Sequence, residues 1–249
     1  MRHDARMLLR GALIGGAAAL WSAWIGAQTI YGVTETTPYT YLRGDRVQGS
    51  VTEVVEKTLQ AAQLRDYQIR LYPWARAYDM ALKEPNVLIF LIARTSARET
   101  QFKWAGEIMK IQYHLFRLKS RGDVTVSKLD DARAYVIGVM RDDVRQQYLQ
   151  SKGFQKLAVS AQWLDNFNKL IKQQVDLVPL TEDDATNLCK QAQFDCNQLE
   201  RVLTLDEAST GLYMAYSNAT DDAVVQRTRT AFDKLKADGI VRRILEAKP

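Results

Sequence analysis

Histidine and cysteine are nearly missing from this 249-residue chain, with two of each, and their scarcity removes most metal and nucleophile chemistry. His3 belongs to the basic N-terminus, which leaves His114 alone in the body of the chain. A solitary histidine is more often a structural group than a general base. No Gly-x-Ser-x-Gly elbow, no phosphate-cradling glycine loop and no His/Cys/carboxylate spacing suited to a metal occurs. The sequence therefore implies no cofactor, no metal and no catalytic residue. Paired carboxylates such as Asp142-Asp143 could in principle serve as acid and base, but sequence neighbours after a strand rarely converge on one substrate atom. Massed charge is also lacking. The formal net charge is +5, spread along the chain without the basic, aromatic-interleaved face that nucleic-acid binding requires. There is no internal repeat and no low-complexity linker.

What is present begins at the N-terminus. Arg2, Arg6 and Arg10 precede an apolar run from Gly11 through Ile25, and Ile25-Gly26-Ala27 offers the small residues that a signal peptidase reads. Cleavage is expected after Ala27, so residues 1–27 form a signal peptide and the mature chain begins at Gln28. The alternative is a retained anchor, but the run of about 15 residues is shorter than the ~20 that span a bilayer. No cysteine stands at the cleavage point to carry a lipid. These features predict a secreted, periplasmic protein with no membrane insertion after signal removal. In that oxidising compartment Cys189 and Cys196 become a disulfide candidate. Free thiols are the alternative, and a zinc site lacks the histidines it would need. On one straight helix residues i and i+7 lie ~10 Å apart along the axis, so a bond predicts that a helix ends or turns near Phe194-Asp195.

Short apolar runs alternate with segments of helical period, an α/β signature. Strands are expected over 28–33, 67–72, 87–92, 134–139, 174–180 and 211–217. The unbroken run 87–92 reads as a central, doubly buried strand. Ser50-Val51-Thr52-Glu53 has the form of a capping box opening a helix that carries Val51, Val54, Val55, Leu59 and Ala62 at core spacing. Pro73 suits the first position of a helix carrying Trp74, Tyr78 and Leu82. Ser127 with Asp130 predicts a short capped helix. A helix over 142–152 should stop at Gly153. Another carries Trp163, Phe167, Leu170 and Ile171, and a last one, with Val224, Val225, Thr228, Phe232 and Leu235, should end before Gly239.

Four local motifs in this order resemble a known family. They are Thr34-Glu35-Thr36-Thr37-Pro38-Tyr39-Thr40-Tyr41 after the first strand, Ala93-Arg94-Thr95-Ser96-Ala97-Arg98-Glu99 after the central strand, Val136-Ile137-Gly138-Val139, and Ala231 through Gly239. The chain resembles the amino-acid-type solute-binding proteins of ABC transporters (bacterial extracellular solute-binding protein family 3). The resemblance implies a two-lobed type II periplasmic binding fold, α/β, each lobe a mixed sheet flanked by helices. Lobe one would combine residues 28–112 and 210–249, lobe two residues 113–209, with crossing segments near 108–118 and 205–212. It further implies a monomer that captures a small-molecule ligand and hands it to an inner-membrane ABC permease. Delivery of the signal to a membrane receptor or kinase is the alternative, and an enzyme on the same fold is a third reading.

The same resemblance points to residues. Arg98, in a Thr-x-x-Arg segment beginning at Thr95, corresponds to the arginine that holds a ligand carboxylate, and a guanidinium fork suits that pairing. Leu91 and Ala93 stand where backbone groups face the ligand. Tyr39, Tyr41, Trp74 and Tyr78 fall near strand ends, where open α/β sheets bind ligands, although Trp74 and Tyr78 also fit plain core packing. Glu35 could accept a ligand amine or be solvated. In lobe two the family's Gly-Thr or Gly-Ser pair is replaced by Met140-Arg141-Asp142-Asp143. There Arg141 could meet an anion, Asp143 could meet an amine, or both aspartates could only cap a helix. Thr181 stands near the place of the aspartate that would bind an α-ammonium, so the ligand need not be an ordinary α-amino acid.

Overall fold

The computed structural model describes residues 29–247; the expected signal peptide and Gln28 lie outside them. The central strand β5 (Val87–Ala93) has every residue buried, as its continuous apolar run predicts. It pairs in parallel with β1 (Ile30–Thr34), which pairs in parallel with β4 (Tyr67–Leu71). On its other side lies β12 (Thr210–Ser217), antiparallel to both β5 and the edge strand β6 (Phe102–Ile111). The sheet order is β4-β1-β5-β12-β6. Alternate residues of β5 serve opposite faces. Leu88 and Phe90 join the core under α1 (Ser50–Ala61), α6 (Asp222–Ala237) and α7 (Ile240–Glu246), with Val55, Leu59, Phe232 and Val241. Val87 and Ile89 meet Trp74, Ala77 and Ala81 of α2 (Trp74–Lys83) on the other face.

A second group of elements is built around β7 (His114–Leu118), which is antiparallel to both β10 (Val178–Leu180) and β11 (Leu199–Thr204). Beside it β8 (Ile137–Met140) pairs in parallel with β9 (Leu157–Ser160), and Ile137 bridges Leu177. Helices α3 (Val144–Ser151), α4 (Trp163–Ile171) and α5 (Glu182–Gln191) complete this group. Phe116, Phe167, Leu170, Val178 and Leu188 form its core. The chain passes between the two groups twice, from β6 to β7 and from β11 to β12. The passages are bonded to each other: the Tyr113 amide donates to Ser209 Oγ at 3.0 Å, and the Leu205 amide to the Tyr113 carbonyl at 2.8 Å.

Several expected local features form differently. The capping box at Ser50 does not form: Ser50 is already helical, and the N-cap is Gly49 at φ 124°. A Cβ at position 49 would lie 2.2 Å from the Tyr39 carbonyl oxygen, so close backbone approach selects glycine there. Thr52 instead bonds the Thr40 hydroxyl and the Gln48 carbonyl. Pro73 is the N-cap of α2, one place earlier than expected. In the 3-10 turn Leu129–Ala134 it is Asp131 that accepts the Ser127 and Lys128 amides, while Asp130 pairs with Arg133. The strand expected over 134–139 runs from Ile137 to Met140, and that over 174–180 shortens to Val178–Leu180. The chain does turn at Gly239, with φ 70°, but then starts α7. Cys189 and Cys196 are joined with a Cα–Cα distance of 5.6 Å. Helix α5 ends at Gln191, and Cys196 opens a 3-10 turn, so the chain reverses where a bond required it.

Candidate functional site

Between the two groups lies a cavity of about 450 Å³. Its floor in the five-stranded sheet forms because β5 departs from the ladder. Leu91 adopts φ 60°, and the pairing with β12 shifts between Tyr213 and Met214. Both Leu91 and Ala93 line the cavity. The turn that follows closes with the Arg98 amide donating to the Thr95 carbonyl at 3.0 Å, which folds the Arg98 side chain back toward the strand end.

Arg98 is only 1% exposed. Its Nη2 donates to the Asp142 carbonyl across the cavity at 2.9 Å, and Nη1 makes a long contact of 3.4 Å to the Ala93 carbonyl. Nε has no partner, and among the described residues no carboxylate pairs with this guanidinium. The rings of Tyr78 and Trp74 flank it at 4.9 and 5.8 Å. The result is a buried cation with spare donor capacity facing a cavity.

The other expected residues are distributed unevenly. Tyr39, Trp74, Glu35 and Asp143 line the cavity. Trp74 Nε1 donates to the same Asp142 carbonyl at 2.9 Å, and the Tyr39 hydroxyl donates to Asp183 of α5. Burial, reinforced by Asp143, pushes the Glu35 carboxyl well above its ordinary range. Asp143 is the N-cap of α3 and is 5% exposed. It is already engaged, since its Oδ1 accepts the Arg145 amide and Nε and its Oδ2 accepts Nη2, at 2.7–2.9 Å. Thr95 has a buried hydroxyl without a partner but does not line the cavity. Tyr78 also lies behind the wall, bonded to Gln101 and stacked on Trp74. Arg141 is exposed and off the cavity: Asp142, at φ 60°, turns the chain there, and the Arg141 amide closes onto Ser160 instead. His114 lies on β7 beside Thr204, with burial lowering its basicity.

The arrangement also contains residues that sequence reasoning passed over. Arg145, 4% exposed, lies over Trp163 at 3.8 Å and Tyr113 at 4.6 Å. Its Nη1 reaches the Pro179 carbonyl at 3.3 Å and Asp184 at 3.4 Å. Asp184 is the third helical residue in the capping box begun by Thr181, and both line the cavity. Burial raises the Asp184 carboxyl, with Arg145 opposing. Trp163 keeps a buried Nε1 without a partner. Of this cluster the sequence marks Thr181, near the place of the family's ammonium-binding aspartate; for Asp184 the signal is the capping pattern Thr181-x-x-Asp184.

No family profile and no curated protein matches the chain by sequence. Solved structures do match. A histidine kinase sensor domain similar to periplasmic binding proteins superposes with a TM-score of 0.76 at 16% identity, over 87% of this chain and 92% of that one. The arginine-, lysine-, histidine-binding protein ArtJ from Geobacillus stearothermophilus gives 0.74 at 14% identity, over 88% and 94%. A Salmonella typhimurium periplasmic binding protein with high arginine specificity gives 0.72 at 18% identity, over 88% and 98%. The chain therefore has the type II periplasmic binding fold, α/β with sheets flanked by helices, as the resemblance in its motifs implies.

Proposed function

We propose that the protein is a periplasmic receptor that captures a small solute, an amino acid or related small amine or carboxylate, for delivery to an inner-membrane ABC permease. The observation that carries this reading is Arg98: a buried guanidinium that has no carboxylate partner among the described residues and opens onto an aromatic-walled cavity. Burying such a charge unpaired is costly, and a solute carboxylate would relieve that cost with a two-pronged bond. Amino-acid-binding proteins among the solved structures of this fold support the same reading. In it, residues 28–112 and 210–249 form one lobe and residues 113–209 the other, and the protein acts as a monomer. Export follows from the N-terminal segment, and among the described residues no helix is long and apolar enough to cross a membrane. No catalytic role is assigned.

The test is native mass spectrometry of the protein as purified, followed by a thermal-shift screen of amino acids, polyamines and small organic acids. A solute at ~100 times its Kd should add ~2.7 kcal/mol of stability. No shift across all three classes would overturn the reading. A second reading, a sensory module that reports occupancy to a membrane receptor or kinase, is favoured by the likeness to the histidine kinase sensor domain. Deleting the gene distinguishes the two, because a permease receptor is needed for uptake of the solute and a sensor only for the response to it.

A further inference from the structure

The surroundings of Arg145 describe a cation site that the protein fills itself. Two aromatic faces, Trp163 at 3.8 Å and Tyr113 at 4.6 Å, cover the guanidinium, and Asp143 grips it through both oxygens. Asp184 and the Pro179 carbonyl complete the ring of acceptors. Ring faces and carboxylates in this arrangement attract any guanidinium or ammonium. Trp163, Tyr113, Asp143, Arg145 and Asp184 all line the same cavity as Arg98.

Resting on the reading of this cavity as a solute site, we propose that Arg145 is a specificity-determining residue: its guanidinium occupies the aromatic, acidic slot and restricts the solute to carboxylates without a cationic side chain. A free cation would have to compete with a tethered one for the same two rings and the same carboxylate, and tethering gives the resident group a high effective concentration. Asp143 is already engaged, since both its oxygens accept from the Arg145 guanidinium and Oδ1 also caps α3. Expelling Arg145 would strand Asp143 in a buried position without its partner, and leaving Arg145 in place would set two cations side by side. Once Arg98 has taken a carboxylate, Glu35 is, among the described residues, the one acidic group lining the cavity that is not bonded to Arg145. It can serve a single amine or hydroxyl of the solute, and no acidic group is left for a further charge. The solute class is therefore a zwitterionic or anionic small acid with an uncharged remainder, in contrast to the arginine-binding proteins of this fold.

The experiment compares L-arginine and L-lysine with their uncharged counterparts L-citrulline and L-glutamine, together with methylguanidinium, on the wild type and on Arg145→Ala. Circular dichroism confirms folding of each protein, and melting shifts and calorimetry report binding. The wild type should be unmoved by millimolar arginine, lysine or methylguanidinium. Arg145→Ala should gain a melting shift with methylguanidinium and bind arginine at least about tenfold more tightly than the wild type does. Should Arg145→Ala not fold, Arg145→Met, which keeps the stem volume, takes its place. Wild-type binding of arginine or lysine as tight as that of citrulline or glutamine would overturn the proposal. So would a folded variant that gains nothing from either guanidinium compound. If the wild type binds no solute at all, the receptor reading fails, while the gain of guanidinium binding in the variant still decides the role of Arg145.

Discussion

Arg98 and Glu35 bring opposite electrostatic problems into one cavity, and each leads to a measurable consequence. For Arg98 the problem is a charge lacking a carboxylate. If the solute supplies one, truncating the guanidinium leaves that anion desolvated and unpartnered, a loss of ~2–5 kcal/mol, or roughly thirty- to several thousand-fold in affinity. Arg98→Lys should also bind poorly, because an ammonium keeps the charge but not the fork. Calorimetry on wild type, Arg98→Lys and Arg98→Ala, with melting curves to confirm folding, checks this. Equal affinities in three folded proteins would remove the carboxylate clamp. For Glu35 the problem is a carboxyl held well above its ordinary value of 4.5 by burial and by Asp143, with Asp184 adding to the shift and Arg145 opposing it. A raised carboxyl makes the folded state bind more protons than the unfolded chain, so stability falls as pH climbs from the unfolded pKa toward the folded one. Glu35→Gln should flatten that decline in the solute-free protein, leaving the part due to Asp184, whose carboxyl is also raised. Melting temperatures taken from pH ~4.5 upward test the sign, and an unchanged slope in the variant would mean that Glu35 does not carry it.

At the scale of elements, the α5 segment shows how a covalent tie stands in for packing. Cys189 is buried against Leu188 and Phe167, whereas Cys196 lies in the short turn that leads into β11. Closing the seven-residue separation should contribute about 2 kcal/mol, so Cys189→Ala with Cys196→Ala should lower the denaturation midpoint correspondingly. A midpoint unchanged in the double variant would show that packing alone holds this turn, and free thiols in denatured, unreduced protein would show that the bond is absent. The reversal at Phe194-Asp195 was legible in advance because a bond across i and i+7 excludes a continuous helix. The strand β5 was equally legible, since seven apolar residues in a row suit burial on both faces. The next strand along the chain, β6, was not. Phe102-Lys103-Trp104-Ala105-Gly106-Glu107 interleaves charge with aromatics, and two register shifts against β12 break the alternation by which a strand is read. The site divides in the same way. Arg98 could be found because its motif is local. Arg145 is buried by Trp163 and Tyr113, residues far from it along the chain, and no local pattern announces that meeting. Arg141 was a candidate because Met140-Arg141-Asp142-Asp143 stands where the family has its Gly-Thr or Gly-Ser pair, and the turn at Asp142 leaves it exposed and off the cavity.

For the molecule as a whole, the open question is mechanical. The two proposed lobes touch across the cavity through few polar bonds: Trp74 Nε1 and Arg98 Nη2 share the Asp142 carbonyl, and Tyr39 bonds Asp183 at an exposed edge. Such a bond contributes about 0.5–1.5 kcal/mol net between neutral groups and about 1.5–3 where one group is charged, modest terms to set against the freedom of two lobes joined by short connections. A solute gripped by Arg98 on one side and by the second group on the other adds contacts that exist only when the cavity is closed, and differential contacts of that kind shift a hinge equilibrium. The solute-free protein should therefore have a larger radius of gyration in solution than the protein saturated with a solute identified in the screen. Trp74→Phe keeps the ring but removes one of the two donors to Asp142, so it should enlarge the solute-free envelope further while the saturated one still contracts. Small-angle scattering of both proteins, with and without solute, measures this directly. If calorimetry shows a bound solute and the radius of gyration stays fixed, the cavity is a rigid, preformed cage, and the bonds to Asp142 hold it shut with or without a guest.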